Sequence, residues 1–119
     1  MSDLVVTRLD SAPAYAAVKH HGVAGLRLQG HEAGPSEHFW VGLSYYLPGG
    51  GADENPTAEE TVYVVLDGSL DVVADGERVT LGVHDSLHMA KGTVRRVDNV
   101  SAHTATLLVI IAKPHEAVS

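Results

Sequence analysis

A two-residue alternation of apolar and polar side chains, interrupted at short intervals by turn residues, restricts the fold of this chain more than any other feature. Apolar side chains recur at every second position from Leu70 to Ala74, and Val79 and Leu81 continue the pattern. The dipeptides Asp67-Gly68 and Asp75-Gly76 bound the first run, and Asp-Gly pairs accommodate the positive φ angles of tight hairpins. The pattern favours antiparallel β-structure over helices.

Runs of this kind predict nine strands. They are Val5–Leu9, Leu26–Gln29, Phe39–Leu47, Val62–Leu66, Ser69–Ala74, Arg78–Leu81, Ser86–Met89, Val94–Val97 and Thr104–Ile111. One or two helical turns are expected within Ser11–His21, while His31–Glu37 and Pro48–Gly51 are expected to be loops. Because an open sheet leaves unpaired edges, so many short strands favour a closed sandwich or barrel.

Length and charge narrow the function classes. The 119 residues predict one domain (residues 1–119), with an N-terminal arm or strand over 1–25 and a core barrel over 38–112. A net charge of −7 argues against nucleic-acid and membrane partners, which require clustered Lys and Arg. The absence of cysteine excludes disulfides and cysteine nucleophiles. With no apolar leader or membrane-length apolar run, a cytoplasmic location is predicted.

The segment from Gly49 to Gly68 resembles the first motif of the cupin superfamily. That motif reads Gly, five residues, His-x-His, three or four residues, Glu, six residues, Gly. In this chain the two His positions hold Asn55 and Thr57, and the Glu position holds Thr61. The flanking glycines and the apolar run before Gly68 keep the spacing of the motif.

The second cupin motif is matched by Gly92, Arg95 and Asn99, with Arg95 at the position of its histidine. The stretch between the two motifs is the hairpin described above, where the family also has one. The resemblance covers nearly the whole chain. It implies an all-β, cupin-type jelly-roll β-barrel of one domain, and a homodimer.

In metal-binding cupins the two His and the Glu of the first motif and the His of the second are the ligands. Carried over, those positions are Asn55, Thr57, Thr61 and Arg95 in this chain. None suits Mn, Fe, Ni or Zn, which bind imidazole and carboxylate. The permanent charge of Arg95 would also repel a divalent ion. We therefore predict no metal and no other cofactor.

An atypical divalent metal site is an alternative that the sequence leaves open. It would use His38, His88 and either Glu54 or Glu60, whose spacing matches no short metal motif. Strand alternation opposes Glu60, because it should face away from the side that carries its neighbour in the motif. The histidines before residue 38, His20 among them, are expected at the solvated surface.

Without a metal, the same barrel positions become a site for a small organic ligand. The predicted substrate-binding residues are Asn55, Thr57, Thr61, Arg95, His38 and Trp40, and the predicted acid–base residues are Tyr46, Tyr63 and His88. Arg95 suits a carboxylate through two parallel hydrogen bonds, which predicts an anionic ligand. Two alternatives remain: Arg95 forms an outward ion pair with a nearby acid, and the tyrosines are ordinary strand aromatics.

The resemblance and these residues together suggest a metal-independent isomerase, lyase or decarboxylase acting on a small carboxylated or aromatic metabolite. A cupin that binds a ligand without turning it over is one alternative. A metal-dependent cupin with displaced ligands is another, and a barrel that serves only dimerisation is the last. Fold alone does not choose among them.

Overall fold

A computed structural model describes residues 3–113, and strands make up more than half of them. The strands are β1 (Ala14–Tyr15), β2 (His20–Gln29), β3 (Phe39–Pro56), β4 (Thr61–Asp67), β5 (Leu70–Ala74), β6 (Glu77–Leu81), β7 (Ser86–Met89), β8 (Val94–Asp98) and β9 (Ala105–Ala112). Two single-turn 3₁₀ helices lie at Leu9–Ser11 and His31–Ala33. No helix in this part of the chain is long and apolar enough to span a membrane.

The strands form one antiparallel sheet in the order β6-β5-β8-β3-β9-β4-β7, with β2 added on β3 and β1 on β2. The 18-residue strand β3 connects the two halves of this sheet. Its first part pairs with β9, its last part pairs with β8, and β2 pairs with both parts. The sheet curls into a nearly closed barrel with an interior lumen.

Alternation along the strands fills this lumen. Thr61, Tyr63 and Val65 on β4 are buried while the residues between them are only partly so, and Ala105 and Leu107 on β9 repeat the pattern. The core consists of Tyr46, Ala52, Tyr63, Val65, Leu70, Val72, Leu81, Met89, Val97, Ala105 and Leu107. At the start of β4 and the end of β9, lumen-facing residues such as Thr61 and Ile111 border an open space, so one end of the barrel is packed and the other holds a cavity.

Eight of the nine predicted strands coincide with observed ones, and the strand predicted at Val5–Leu9 is wrong. This segment contains only the 3₁₀ turn beginning at Leu9, and the side chains of Val5, Val6 and Leu9 are largely exposed. Side-chain bonds connect it to the rest of the fold, such as Gln29 Nε2 donating to the Val5 carbonyl oxygen at 3.3 Å, and no backbone ladder joins it to a strand of residues 3–113. Strand formation depends on tertiary context, so an apolar run that pairs with no other strand does not become one.

The helical turns predicted within Ser11–His21 are also absent, and the short strand β1 stands there instead. Tyr15 pairs with Gly25 of β2, and the missing side chain at Gly25 leaves room for its ring. The Arg27 guanidinium lies 4.0 Å from the centre of the same ring. These tertiary contacts override the helix preference of the alanines.

The predicted loop at Pro48–Gly51 is part of strand β3. A Cβ atom at Gly51 would lie 2.5 Å from the Val97 carbonyl oxygen, and one at Gly50 would collide with the Gly22 carbonyl oxygen. The glycines therefore allow β2, β3 and β8 to approach closely, and the strand continues where the composition indicated a break.

Candidate functional site

The open end of the barrel contains a cavity of about 250 Å³, which we call the lumen cavity. Six of the nine predicted site residues line it: Tyr46, Asn55, Thr57, Thr61, Tyr63 and Arg95. They come from β3, β4, β8 and the β3–β4 connection. The cavity is also lined by residues that neither the cupin motifs nor strand alternation indicated: Tyr15, His20, Arg27, Ser44 and Glu59.

Arg95 is the central charged group of this cavity. On β8 it lies opposite Asn55 of β3, and Arg95 as a whole is only 9% exposed. Its Nε donates to the Tyr63 hydroxyl oxygen at 3.1 Å, and its Nη1 donates to the Asp53 carbonyl oxygen at 3.0 Å. No carboxylate of residues 3–113 lies within ion-pair distance of it. The alternative of an outward ion pair is therefore wrong for Arg95.

The two threonines at the family's ligand positions are tied to the cavity wall. The Thr57 hydroxyl donates to the Ala90 carbonyl oxygen at 3.0 Å, and the Thr61 hydroxyl donates to the Glu59 carbonyl oxygen at 2.8 Å. With their protons engaged, both oxygens offer the cavity only acceptor capacity. They also hold the β3–β4 connection beside the start of β4.

These residues do not fit a divalent metal. Four metal-binding cupin positions supply an amide, two hydroxyls that bind the protein backbone, and the Arg95 cation, where imidazoles and a carboxylate would be needed. A guanidinium stays charged at every working pH and would repel a metal ion bound beside it. Among the described residues no group of three or more His, Asp or Glu side chains is close enough to hold a metal.

Tyr46 lines the cavity and is 1% exposed. Burial, together with the nearby Tyr63, raises the pKa of its phenol far above the usual range. Tyr46 therefore stays protonated and cannot act as a base at neutral pH. Its neighbour Tyr45 is on the opposite face of β3, as strand alternation requires.

Among residues 3–113, His20 is the one histidine that lines the cavity, although it was expected at the solvated surface. Its Nδ1 lies 2.8 Å from the Val18 carbonyl oxygen. Because a carbonyl only accepts, Nδ1 carries the proton and Nε2 of the neutral ring is an acceptor. Burial lowers the pKa of His20 below its ordinary value of 6.5, and the Arg95 charge adds to this effect. The ring is neutral at pH 7.

Two further groups complete the charge pattern at the cavity. Glu59 is the only carboxylate among the lining residues that the structure describes, and its Oε1 lies 3.5 Å from Lys91 Nζ. Arg27 stacks on Tyr15 and pairs with Glu32 at 3.4 Å. Unlike Arg95, these side chains therefore have partners of opposite charge.

The remaining three predicted site residues are outside the lumen cavity. His88 Nε2 lies 2.6 Å from Glu60 Oε2, and both side chains are more than half exposed. His38 borders a separate shallow crevice with Phe39. Trp40 stacks on His31, with ring centres 3.8 Å apart.

The comparison with protein families identifies the family of this chain. Residues 42–111 match the model of the cupin domain family, which covers more than half of the chain. This chain belongs to the cupin family. Solved cupin structures also match its fold, and the predicted jelly-roll barrel is confirmed.

Three proteins are similar to this chain in sequence or in structure. A beta-D-galactosidase of Mycobacterium tuberculosis is 55% identical over 109 residues, which cover 92% of this chain and 94% of the relative. A polyketide cyclase of Streptomyces resistomycificus has a TM-score of 0.78 at 16% identity, covering 89% of this chain and 77% of that one. A sugar phosphate isomerase of Silicibacter pomeroyi has a TM-score of 0.75 at 24% identity, covering 90% and 74%. The two structures establish similarity of fold alone.

Proposed function

We propose that this cupin is a glycoside hydrolase that cleaves a β-D-galactoside in the lumen cavity, without a metal or other cofactor. One observation carries the proposal: 55% identity, over almost the full length of both chains, to a protein named a beta-D-galactosidase. The polar lining of the cavity supports it, because sugars bind through many hydrogen bonds to such groups. The small volume favours a single sugar ring over an oligosaccharide.

The neutral His20 is suited to act as the general base in this reaction. Its Nε2 lone pair accepts a proton from a water molecule, and the resulting hydroxide attacks the anomeric carbon of the sugar. Its pKa, lowered by burial and by the charge of Arg95, keeps the ring unprotonated at neutral pH. The Val18 carbonyl holds the ring in the required tautomer.

Tyr63 is suited to act as the proton donor. Its hydroxyl oxygen accepts a hydrogen bond from Arg95 Nε, so the phenolic proton remains available for the glycosidic oxygen as the bond to the anomeric carbon breaks. The Arg95 guanidinium stabilises the negative charge that develops on Tyr63. The Glu59 carboxylate stabilises the positive charge on the sugar ring. The net reaction adds one water molecule, and the proton on His20 then replaces the one lost by Tyr63.

Isomerisation or lyase chemistry on a carboxylated sugar or related metabolite is the second candidate. It is favoured by the same His20 and Tyr63 pair, which can remove a proton from one carbon and deliver one to an oxygen with no water involved. In that reaction the product retains all atoms of the substrate or splits without gaining water. Incorporation of ¹⁸O from labelled water distinguishes the two reactions, because only hydrolysis requires it.

The test is to incubate the purified chain with 4-nitrophenyl β-D-galactoside, its α-anomer and the β-glucoside, and to measure nitrophenol release. The protein is prepared in a host that lacks β-galactosidase. We expect release from the β-galactoside alone, unchanged by a chelator. Because His20 activates water for a single displacement, NMR of the first product should detect inverted configuration at the anomeric carbon.

A chelator-sensitive activity would contradict the absence of a metal. If no β-galactoside is cleaved but the sugar still raises the melting temperature, a ligand-binding cupin without turnover replaces the enzyme proposal. If the sugar neither reacts nor binds, the lumen cavity serves another substrate class and the proposal fails.

A further inference from the structure

We propose that the sugar bound in the lumen cavity carries a negatively charged group, a carboxylate or a phosphate, which pairs with the guanidinium of Arg95. This inference rests on the proposed function and specifies its substrate class: a β-galactoside that carries an acidic group, bound in preference to the neutral sugar. The first argument is the state of Arg95 itself. It is a buried cation that lines a cavity, and no carboxylate in residues 3–113 pairs with it.

Buried charges are normally paired, because removing an ion from water costs several kcal/mol that only an opposite charge or several strong hydrogen bonds restore. The two protein groups that contact Arg95 are neutral oxygens, the Tyr63 hydroxyl and the Asp53 carbonyl. Each contributes one hydrogen bond and no net charge. An anion in the cavity would supply the missing partner.

The guanidinium also has donors to spare. It carries five N–H groups, and the contacts to Tyr63 and Asp53 use two of them. The remaining donors are on the two terminal nitrogens, which is the arrangement that binds two oxygens of a carboxylate or phosphate side by side. A sugar hydroxyl would satisfy one donor and leave the charge uncompensated.

No acidic side chain of the described cavity wall competes for Arg95. The Glu59 carboxylate is engaged by Lys91. The Asp53 carboxylate lies 3.5 Å from His21 Nδ1 and is 64% exposed, so only the backbone of Asp53 serves Arg95. The other cation of the wall, Arg27, has Glu32 as its partner. Arg95 is therefore where a ligand anion gains the most.

The test compares ligands that differ only in charge. Binding to the unmodified protein is measured by calorimetry for methyl β-D-galacturonide, its uncharged 6-methyl ester and methyl β-D-galactoside, and for the 6-phosphate of the last. We expect the carboxylate or the phosphate to bind about tenfold to a hundredfold more tightly than either neutral sugar. Which of the two acids binds better identifies the anion. Equal or tighter binding of the neutral sugars would overturn the inference.

Variants connect the preference to Arg95. In Arg95→Met the acidic and neutral sugars should bind equally, while Arg95→Lys should keep part of the preference because it keeps the charge. The matched control is Arg96→Met, which removes the adjacent arginine and should leave the preference intact. Circular dichroism checks that each variant folds, and the comparison of ligands on the unmodified chain stands if Arg95→Met does not.

Aryl glycosides separate this inference from the proposed function. Cleavage of the neutral β-galactoside as fast as the β-galacturonide and the 6-phospho-β-galactoside would leave the hydrolase in place and overturn the acidic substrate. Tight binding of an acidic sugar without cleavage of any glycoside would retain the anion site and overturn the hydrolase.

Discussion

The two faces of the barrel wall differ in what a charged or aromatic side chain can do, although only one residue separates them along a strand. On the lumen face of β8, Arg95 is buried, bonds neutral oxygens and has no carboxylate partner among the described residues. On the outer face, its neighbour Arg96 donates from Nε to the Asp98 carboxylate at 2.9 Å. The same residue type forms a ligand site on one face and a surface ion pair on the other.

This contrast has an energetic basis. Exposed ion pairs contribute roughly 0–1 kcal/mol, because water and salt screen them and two flexible side chains must be held in place. A charge or dipole that the barrel wall shields from most of the solvent acts at a lower effective dielectric and interacts more strongly with a substrate. We therefore expect substitutions on the lumen face to affect function and their neighbours on the outer face to be nearly neutral.

The largest expected effect is on Tyr63→Phe, which removes the proposed proton donor and keeps the ring. We expect kcat for the aryl β-galactoside to fall by roughly a hundredfold to ten-thousandfold, the usual contribution of general acid catalysis. The control is Tyr45→Phe, a tyrosine on the outer face of β3, which should change kcat less than twofold. A steady-state assay on both variants tests this, and a fully active Tyr63→Phe enzyme would assign the donor to another group.

The lumen face was predictable where a motif sets the register. Cupin spacing placed Thr61 and Arg95 on the lumen side, and strand alternation then assigned Tyr63 to the same side and Glu60 to the other. It also required that one of Tyr45 and Tyr46 face inward, without choosing which. Burial in the structure agrees at each of these positions.

His20 was not predictable in this way, because the pairing of β2 with β3 is irregular. The register shifts between His21 and Val23, where Gly22 has a φ of +62°. Such a shift exchanges the inward and outward sides of the strand, and nothing in the local sequence fixes where it occurs. The glycines of β3 were equally unpredictable as strand residues, because the close contacts that require them involve strands distant in the sequence.

His38, Trp40 and His88 illustrate a different limit. Their side chains are chemically capable, but no motif sets their orientation, and in the structure all three are outside the lumen cavity. A histidine between apolar residues indicates a strand, but its parity depends on which neighbours it pairs with. Residue type alone therefore does not identify a site.

An intermediate effect is expected for His20→Gln, which removes the proposed base. We expect kcat to fall about a hundredfold, near the lower end for acid–base catalysis, because water remains in the cavity without the base. The control is His21→Gln, the adjacent exposed histidine that contacts Asp53, which should retain most activity. Equal losses in the two variants would contradict a specific role for His20.

The pH dependence of activity and of stability gives a second measurement of the role of His20. Because burial lowers the pKa of His20 below 6.5, the neutral base persists to lower pH than for an exposed histidine, so the acid limb of kcat/KM should have its midpoint below pH 6.5. His20→Gln should lose this limb.

The unfolded chain binds the proton of His20 more readily than the folded chain, so the folded protein should lose stability as the pH falls below 6.5, and His20→Gln should lose less. Denaturant titrations at pH 5.5 and 7.5 measure this.

The smallest effect is expected at the pair that His88 forms with Glu60. Both side chains are more than half exposed, and their 2.6 Å contact is on the outer face. We expect His88→Gln to change the free energy of unfolding by less than about 0.5 kcal/mol and to leave kcat and the pH profile of activity unchanged. Denaturant unfolding and the aryl β-galactoside assay measure both. A loss of activity in His88→Gln, reversed by added Zn²⁺ or Mn²⁺, would instead favour a metal site on the outer face, and the distinction between the two faces would fail at that point.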